Sequence, residues 1–452
     1  MKEKNKLDLT TGSVTKKLLA FAIPYMMGLV LQQMYSFIGS VVVSNFSADG
    51  PRALAAVGST GSITSMLIGF FTGLSLGSNV LCSNFIGAKE PEKLRRTMHS
   101  SLPVALGCGI FVFLVGLICA NWVLTVMHTP ETILPLSASY LRIYFAGAPF
   151  LLLYNTGAGI MRAHGDTKRP MTILLISGAC SVVFNIVFVV LLKMSAEGVA
   201  WSAVCSNAVS AFCVLWIIFS KKDTYHLTWK ELGLDMKIVW AILRLGVPAG
   251  FNAIAFYIAG VILQSTLNTF GEAAVAGQAA ANNITQFLHT VPNGFYAACT
   301  SFAGQCYGAK NYKRINKMAV ASLACGIPAA VLLAVIVTVF RVPLMELFNA
   351  DAEIVAKGMP YLMVVSWGYV IYVFTSTYMG CLQGMCRSTT NAAVNTICIC
   401  FARGAWFWFI FPLCPTITMA VLCIPVSFVL SGAALFYTYV HIKKKEAGTQ
   451  GT

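Results

Sequence analysis

The chain has 452 residues, of which 57% are hydrophobic and 10% charged, and its mean hydropathy is +0.75. A soluble domain carries about 25% charged residues, so this composition excludes a soluble enzyme or binding module. The net charge of +15 stands in short basic clusters between apolar runs, the pattern of membrane topology, and no nucleic-acid partner is expected.

Apolar runs of about 20 residues recur from end to end, each long enough to cross a bilayer. Lipid offers backbone groups no partner, so the spans must be helices or a closed barrel. Barrel strands alternate polar and apolar residues, and these runs do not. An all-α polytopic membrane protein is therefore expected. Twelve spans are predicted, at 17–45, 53–86, 96–122, 132–161, 170–193, 197–220, 238–268, 274–306, 316–341, 353–384, 390–411 and 416–441. The start, MKEKNKLDLTTGSVTKKLLAFAIP, has too long an apolar run for a signal peptide and no A-x-A site; it reads as a cytoplasmic tail entering span one. The longest polar break, Ser220 to Lys237, divides the chain into an N-terminal six-helix lobe (1–220), a cytoplasmic linker (221–237) and a C-terminal six-helix lobe (238–452).

With the N-terminus inside, 25 of the 31 Lys and Arg fall on the cytoplasmic side, including Lys2, Lys4, Lys6, Lys16, Lys17, Lys89, Lys93, Lys221, Lys222, Lys310, Arg314 and Lys443. That asymmetry predicts a multi-pass protein of the cell inner (plasma) membrane with both termini cytoplasmic. Most of the 15 cysteines lie within spans and none has zinc-site spacing, so they read as small packing residues in a reducing cell, with neither disulfide nor metal expected.

The two halves repeat. Gly87-Ala88-Lys89 and Gly308-Ala309-Lys310 are 221 residues apart, and the same shift relates Ile63-Thr64 to Ile284-Thr285, Gly73 to Gly294, Tyr140-Leu141 to Tyr361-Leu362, and Gly159 to Gly380. Six spans per half insert both halves the same way. Parallel repeats of this kind place a substrate site between halves and alternate access by rocking.

The turn GIMRAHGDTKRPM, Gly159 to Met171, lacks a phosphate-loop match and a nucleophile–base set. Gly165-Asp166 bends the chain and Pro170 opens the next helix. In span eight, Asn282, Asn283, Gln286 and His289 precede a mid-span proline, Pro292. Asn282, Gln286 and His289 share one face, which is either interhelical glue or the lining of a cavity. None of the sixteen acids lies mid-span. Arg403 does, and Arg142 lies a third of the way in; each is either a structural arginine or a lining one. Trp406, at i+3 from Arg403, offers an aromatic face.

The ordered series IPYMMGLVLQQMYSFIGSVVVSNF, ALAAVGSTGSI, GLSLGSNVLCSNFIGAK, YLRIYFAGAPFLLLYNTGAGIMRAHGDTKRPM, GVPAGF and AAVAGQAAANNI resembles the multidrug and toxic compound extrusion (MATE) transporters over nearly the whole chain. The resemblance implies two lobes that export bulky, often cationic compounds in exchange for H⁺ or Na⁺. It also implies a monomer in the lipid bilayer with a small organic substrate, no cofactor beyond a coupling ion, no metal and no catalytic residue. Many bacterial members have an Asp late in span one and an Asn-x-x-x-Asp pair in span five; here these positions are Gly39, Asn185 and Val189. A following Thr becomes Ser206, and a Glu found in span seven of another branch becomes Phe256. The carboxylates are missing. Substrate-lining candidates are Gln33, Tyr35, Asn155, Asn185, Ser206, Tyr257, Gln264, Asn282, Asn283, Gln286, His289, Arg403 and Trp406. Trp367 is a further aromatic face. The alternative is a flippase or exporter for a lipid-linked, neutral or anionic metabolite. A membrane enzyme is disfavoured, because no His/Asp/Cys constellation gathers at one depth.

Overall fold

The computed structural model describes residues 8–46, 50–127, 129–220, 226–348 and 351–448. Lys2, Lys4, Lys6, Lys221 and Lys222, used above for topology, and the opening of the linker (221–225) lie outside the described residues. Among these residues all regular structure is helical. The helices are α1 (Val14–Phe46), α2 (Gly50–Ala88), α3 (Pro91–Val126), the bent pair α4 (Leu134–Ala146) and α5 (Ala148–Ala163), α6 (Lys168–Asn185) and α7 (Ala196–Ser220). Then follow α8 (Met236–Asn268), α9 (Glu272–Gly308), α10 (Tyr312–Val339), the short α11 (Arg341–Glu346) and α12 (Ala352–Gly384). The last are α13 (Ser388–Thr396), α14 (Ala402–Ala405) and α15 (Ile417–Gly448).

Ten helical segments are long and apolar enough to cross a membrane alone, and the α4–α5 pair, bent by 41°, makes an eleventh. The twelfth predicted span is α9. It has 37 residues, but Gln278, Asn282, Asn283, Gln286, His289 and Asn293 lower its hydropathy, and most of its length is buried instead. Outward faces elsewhere are apolar: Phe111, Ile118, Trp122, Trp216 and Trp408 are each more than 60% exposed. Such faces are stable only against lipid. The protein is a polytopic α-helical membrane protein.

The chain forms two compact units. Among the described residues, unit 1 comprises Met27–Ile86 and Glu90–Gly250, and unit 2 comprises Asp8–Met26, Gly87–Lys89 and the chain from Phe251 onward. Each leading helix, α1 and α8, is divided between the units within three residues of Pro24 or Pro248.

In unit 1, α3 packs on α4 and α5, and α7 packs on α4, α5 and α6, around Leu94, Met98, Tyr154, Met161, Val214 and Ile218. Helix α2 meets the first turns of α8 almost backbone to backbone. A Cβ built on Gly77 would lie 2.3 Å from the Ile242 carbonyl, and one on Gly246 would lie 2.4 Å from the Leu74 carbonyl. Small residues permit that approach, the usual device for packing helices where lipid supplies no hydrophobic drive. A strap ahead of α8 closes the unit: Leu227 is fully buried, and the Thr228 N–H donates to His99 Nε2 at 3.3 Å.

In unit 2, α12 packs along α9 and α15, with α10 against α9 and α12. Glycines again set the spacing: a Cβ on Gly384 would lie 2.5 Å from the Thr300 carbonyl. The strap here precedes α1. Leu9 is fully buried; its N–H donates to Gln305 Oε1 at 3.0 Å, and its carbonyl accepts from Arg314 Nε at 2.8 Å. Arg314 also donates to the carbonyls of Thr11 and Gly12.

The repeat is visible in the backbone. Lys89 and Lys310, ending the two Gly-Ala-Lys motifs, both take the left-handed conformation at φ 56° and 54°. Gly165 and Cys386, also 221 residues apart, do so at φ 80° and 58°. The Gly159–Met171 segment is thus a tight turn. Asp166, mostly buried, accepts from the Arg169 N–H at 3.1 Å and pairs with its side chain at 3.3 Å.

Candidate functional site

In unit 1 a polar seam runs between α1, α6 and α7. Asn185 is the last residue of α6 and is 4% exposed. Its Nδ2 donates to the Ser181 carbonyl at 2.9 Å, while its Oδ1 is buried with no partner. A Cβ built on Gly39 would stand 3.5 Å from that Nδ2, so the two positions where the resemblance lacks a carboxylate and keeps an amide face each other. The chain then passes into a π-helical turn, Ile186–Leu191, which buries Val189. Single π-turns shift backbone groups out of register and recur at functional positions. Ser202 and Ser206 on α7 donate to the carbonyls of Ser181 and Ser177 at 2.9 and 3.0 Å. Tyr35 lies over Gly178, where a Cβ would meet its ring at 1.8 Å, and its hydroxyl donates to the Leu175 carbonyl at 3.4 Å.

In unit 2 the seam is aromatic. Arg403 is 3% exposed and sits in the four-residue α14, between π-helical turns at Ile397–Phe401 and Trp406–Ile410. Its Nε donates to Ser427 Oγ at 3.2 Å. Its guanidinium carbon lies 5.6 and 5.9 Å from the ring centroids of Phe256 and Phe428, within cation–π range. Those two rings stack 6.2 Å apart. Tyr372 packs on Phe428 at 4.5 Å, and His289 stacks on Tyr369 at 5.1 Å. Asn293 Nδ2 donates to His289 Nδ1 at 3.3 Å, which places the proton of a neutral imidazole on Nε2. That Nε2 is buried without a partner. Beside this cluster runs a satisfied chain of amides: Ser431 Oγ donates to Asn395 Oδ1 at 2.6 Å, and Asn395 Nδ2 to Asn252 Oδ1 at 2.7 Å. The contrast separates two kinds of buried polarity. The amides end paired, while the imidazole keeps its Nε2 over.

The other candidates are placed as follows. Asn282 joins the unit 2 cluster through Tyr361, whose hydroxyl reaches its Oδ1 at 3.5 Å. Trp406 packs on the same core, its indole N–H donating to the Met419 carbonyl at 2.9 Å. Gln286 is half-buried on α9, and Asn283 is exposed. On α8, Tyr257 is exposed, and Gln264 makes a local bond to Asn268 at 2.9 Å. Gln33 on α1 and Asn155 on α5 are half-buried in unit 1; the Asn155 carbonyl accepts from Arg162 Nη2 at 3.5 Å. Arg142 is exposed on α4. Trp367 is 42% exposed and lines a shallow apolar groove of about 340 Å³ with Ile371, Leu422 and Pro425.

The residues that complete the Arg403 cluster were not singled out by sequence: Tyr361, Tyr369, Tyr372, Ser427 and Phe428. The three tyrosines stand at i, i+8 and i+11 of one helix, a spacing that puts them on one face. Phe428 and Ser427 carry no comparable signal.

The MatE family model matches residues 24–191 and 248–403. The "Probable multidrug resistance protein YoeA" of Bacillus subtilis is 27% identical over 369 residues, covering 80% of this chain and 79% of that protein. Among solved structures, a MATE crystal structure in the straight conformation superposes with a TM-score of 0.91 at 22% identity, covering 99% of this chain and 100% of that one. A MOP superfamily transporter from Pyrococcus furiosus, described by the reverse polarity of its binding pocket, superposes with a TM-score of 0.90 at 22% identity over the full length of both.

Proposed function

We propose that this chain, which belongs to the MatE family, is a secondary efflux transporter that exports amphipathic organic compounds by alternating access, as an H⁺ or Na⁺ antiporter. The observation that carries the reading is buried, unpaired polar groups inside otherwise apolar spans of both units: Asn185 Oδ1 in one and His289 Nε2 in the other. Side chains of this kind are costly within a membrane and mark ion or substrate pathways. The curated relative's designation as a probable multidrug resistance protein supports the same reading. The protein is a transporter rather than an enzyme, works as a monomer in the plasma membrane, and has both termini in the cytoplasm.

Coupling requires a group whose charge or ligation differs between states. With Gly39 and Val189 in place of acids, the Asn185 seam of unit 1 has only neutral oxygen to offer, and Asn185 Oδ1 is its unpaired one. Unit 2 has a half-buried imidazole, His289, with its Nε2 buried, which is the titratable group for a proton-coupled cycle. The test is uptake of matched cationic, neutral and anionic dyes into proteoliposomes under separately imposed H⁺ and Na⁺ gradients. Accumulation is expected to follow one gradient. Equal flux with both gradients collapsed sinks the antiport assignment.

A further inference from the structure

Arg403 poses an electrostatic problem that the described residues leave unsolved. A guanidinium is always charged in a protein and carries five N–H donors. Only its Nε has an acceptor among the described residues, Ser427 Oγ, and that hydroxyl is itself a donor to the Ile424 carbonyl at 2.7 Å. Phe256 and Phe428 share the positive charge through their ring faces but accept no ordinary hydrogen bond. No described carboxylate pairs with it. An isolated buried charge of this sort is strongly unfavourable unless something of opposite sign meets it.

The groups around Arg403 agree in kind. Its charge acts on the Cys423 thiol and on the phenols of Tyr361 and Tyr369; the Tyr361 O–H already reaches Asn282, and Tyr369 is able to donate. His289 presents an unpaired N–H while stacking 6.5 Å from Phe256, a ring that Arg403 also covers. What remains over in this cluster is positive charge and donors. The phenyl faces that an organic cation would use are already engaged by Arg403.

We infer that Arg403, with the donors of the surrounding tyrosines, forms an anion seat inside unit 2, fitted to a monovalent anion: the carboxylate of an exported amphiphile, or a free halide. The guanidinium fork suits a carboxylate, and the flanking rings suit the apolar body attached to it. For the cargo source this rests on the exporter reading above; for a halide it does not.

The test uses the purified full chain in detergent, with pyrenebutyrate and a pyrene-bearing quaternary ammonium of similar size as fluorescent probes, in sodium isethionate or sodium chloride. Wild type should bind pyrenebutyrate and prefer it to the cation. Arg403→Gln should weaken pyrenebutyrate about tenfold or more, the worth of a charged hydrogen bond, while Arg403→Lys, which keeps the charge and loses the fork, should fall between wild type and Arg403→Gln. If chloride displaces pyrenebutyrate from wild type and raises its melting temperature, the seat takes a free halide; if it does neither, the seat takes the cargo's carboxylate. The wild-type preference and chloride arms need no variant, so a poorly folding Arg403→Gln does not spare the inference. Equal binding of the two pyrene probes by wild type overturns it, as does equal pyrenebutyrate binding by wild type and a folded Arg403→Gln. Gradient-driven export of a cationic dye that persists alongside either result leaves the exporter reading standing and removes only the seat.

Discussion

The two units share a fold and differ in what their polar seams leave over. In unit 1 the seam of Tyr35, Ser181, Asn185, Ser202 and Ser206 closes on itself except for one acceptor, Asn185 Oδ1. In unit 2 the cluster of Phe256, His289, Tyr369, Tyr372, Arg403 and Phe428 leaves over the His289 Nε2 donor and a guanidinium of which only Nε has an acceptor among the described residues. A surplus acceptor suits a cation; surplus donors and a fixed positive charge suit an anion. The repeat therefore preserves helix order, close-packing glycines and turn geometry but not chemistry. The 221-residue register relates where helices go, while single residues such as Gly39 and Arg403 differ between the halves.

The strongest way to break this comparison is to invert the sign of unit 2. Arg403→Glu turns a carboxylate toward the ring faces of Phe256 and Phe428 that now hold a cation, so membrane expression is measured beside binding. The ratio of anionic to cationic dye binding should swing by about a hundredfold, since juxtaposed like charges cost several kcal/mol. Competition between the two pyrene probes on purified protein reads the swing, and an unchanged ratio would sink the assignment of sign to Arg403.

The next is to restore the acid that unit 1 lacks. Gly39 has room, because a Cβ there makes only ordinary contact, 3.5 Å from Asn185 Nδ2. Gly39→Asp would set a carboxylate beside an amide donor and give unit 1 a titratable group. Flux should then rise about tenfold on imposing an H⁺ or Na⁺ gradient, the response that about 1.4 kcal/mol of coupling gives. A well-expressed variant with wild-type gradient response would mean that the vacancy at Gly39 does not limit coupling.

Much of this architecture was legible in the sequence because membrane helices are written in hydropathy and Lys/Arg placement. The polar stripe Asn282, Gln286, His289 pointed at α9, the span that alone fails a hydropathy test yet is deeply buried. Gly39 and Asn185, aligned through the resemblance, do face each other. The aromatic cluster was harder to see. Tyr361, Tyr369 and Tyr372 share a face of α12, but no pattern says that this face meets Phe256 on α8 and Phe428 on α15. Ordinary aromatic residues become a cage only through tertiary packing. Tyr257 and Trp367 have the same composition signal and are instead exposed, which is why residue type alone did not separate clustered rings from exposed ones.

A smaller effect contrasts the two straps. Unit 2 holds Leu9 and Gly12 with charge-assisted bonds from Arg314; unit 1 holds its strap with backbone bonds from Thr228 and Asp235 to His99 and Ser100, both at 3.3 Å, and with a half-exposed Arg95–Glu231 ion pair at 3.5 Å that adds little. Bonds to charged groups are roughly twice as strong. Arg314→Ala should therefore speed tryptic cleavage at Lys16 and Lys17 about tenfold, and His99→Ala should loosen its own strap less. Acid should mimic the first change. Burial alone would raise the Asp8 carboxyl, but hydrogen bonds from Thr10 and Thr11 and the charge of Lys17 outweigh it and hold it below its ordinary 3.8. With the folded value depressed, the stabilisation is present above pH 3.8 and is lost only as pH falls through the folded value. Cleavage that accelerates already between pH 7 and 5 would show that Asp8 does not govern the strap.

The smallest effect tests the repeat itself. Gly165 and Cys386 occupy the same left-handed turn in the two halves, at φ 80° and 58°. Only glycine adopts that conformation without strain; a side chain there costs about 1–2 kcal/mol. Unit 1 avoids the cost and unit 2 bears it. Cys386→Gly should relieve it and raise stability by about 1 kcal/mol, offset in part by the greater chain entropy of glycine when unfolded. Gly165→Cys should lower stability by a similar amount. Thermal unfolding of the two variants should thus move in opposite directions. If both substitutions destabilise, the half-buried Cys386 thiol contributes packing that outweighs its backbone strain, and the two turns are alike in shape but not in what holds them.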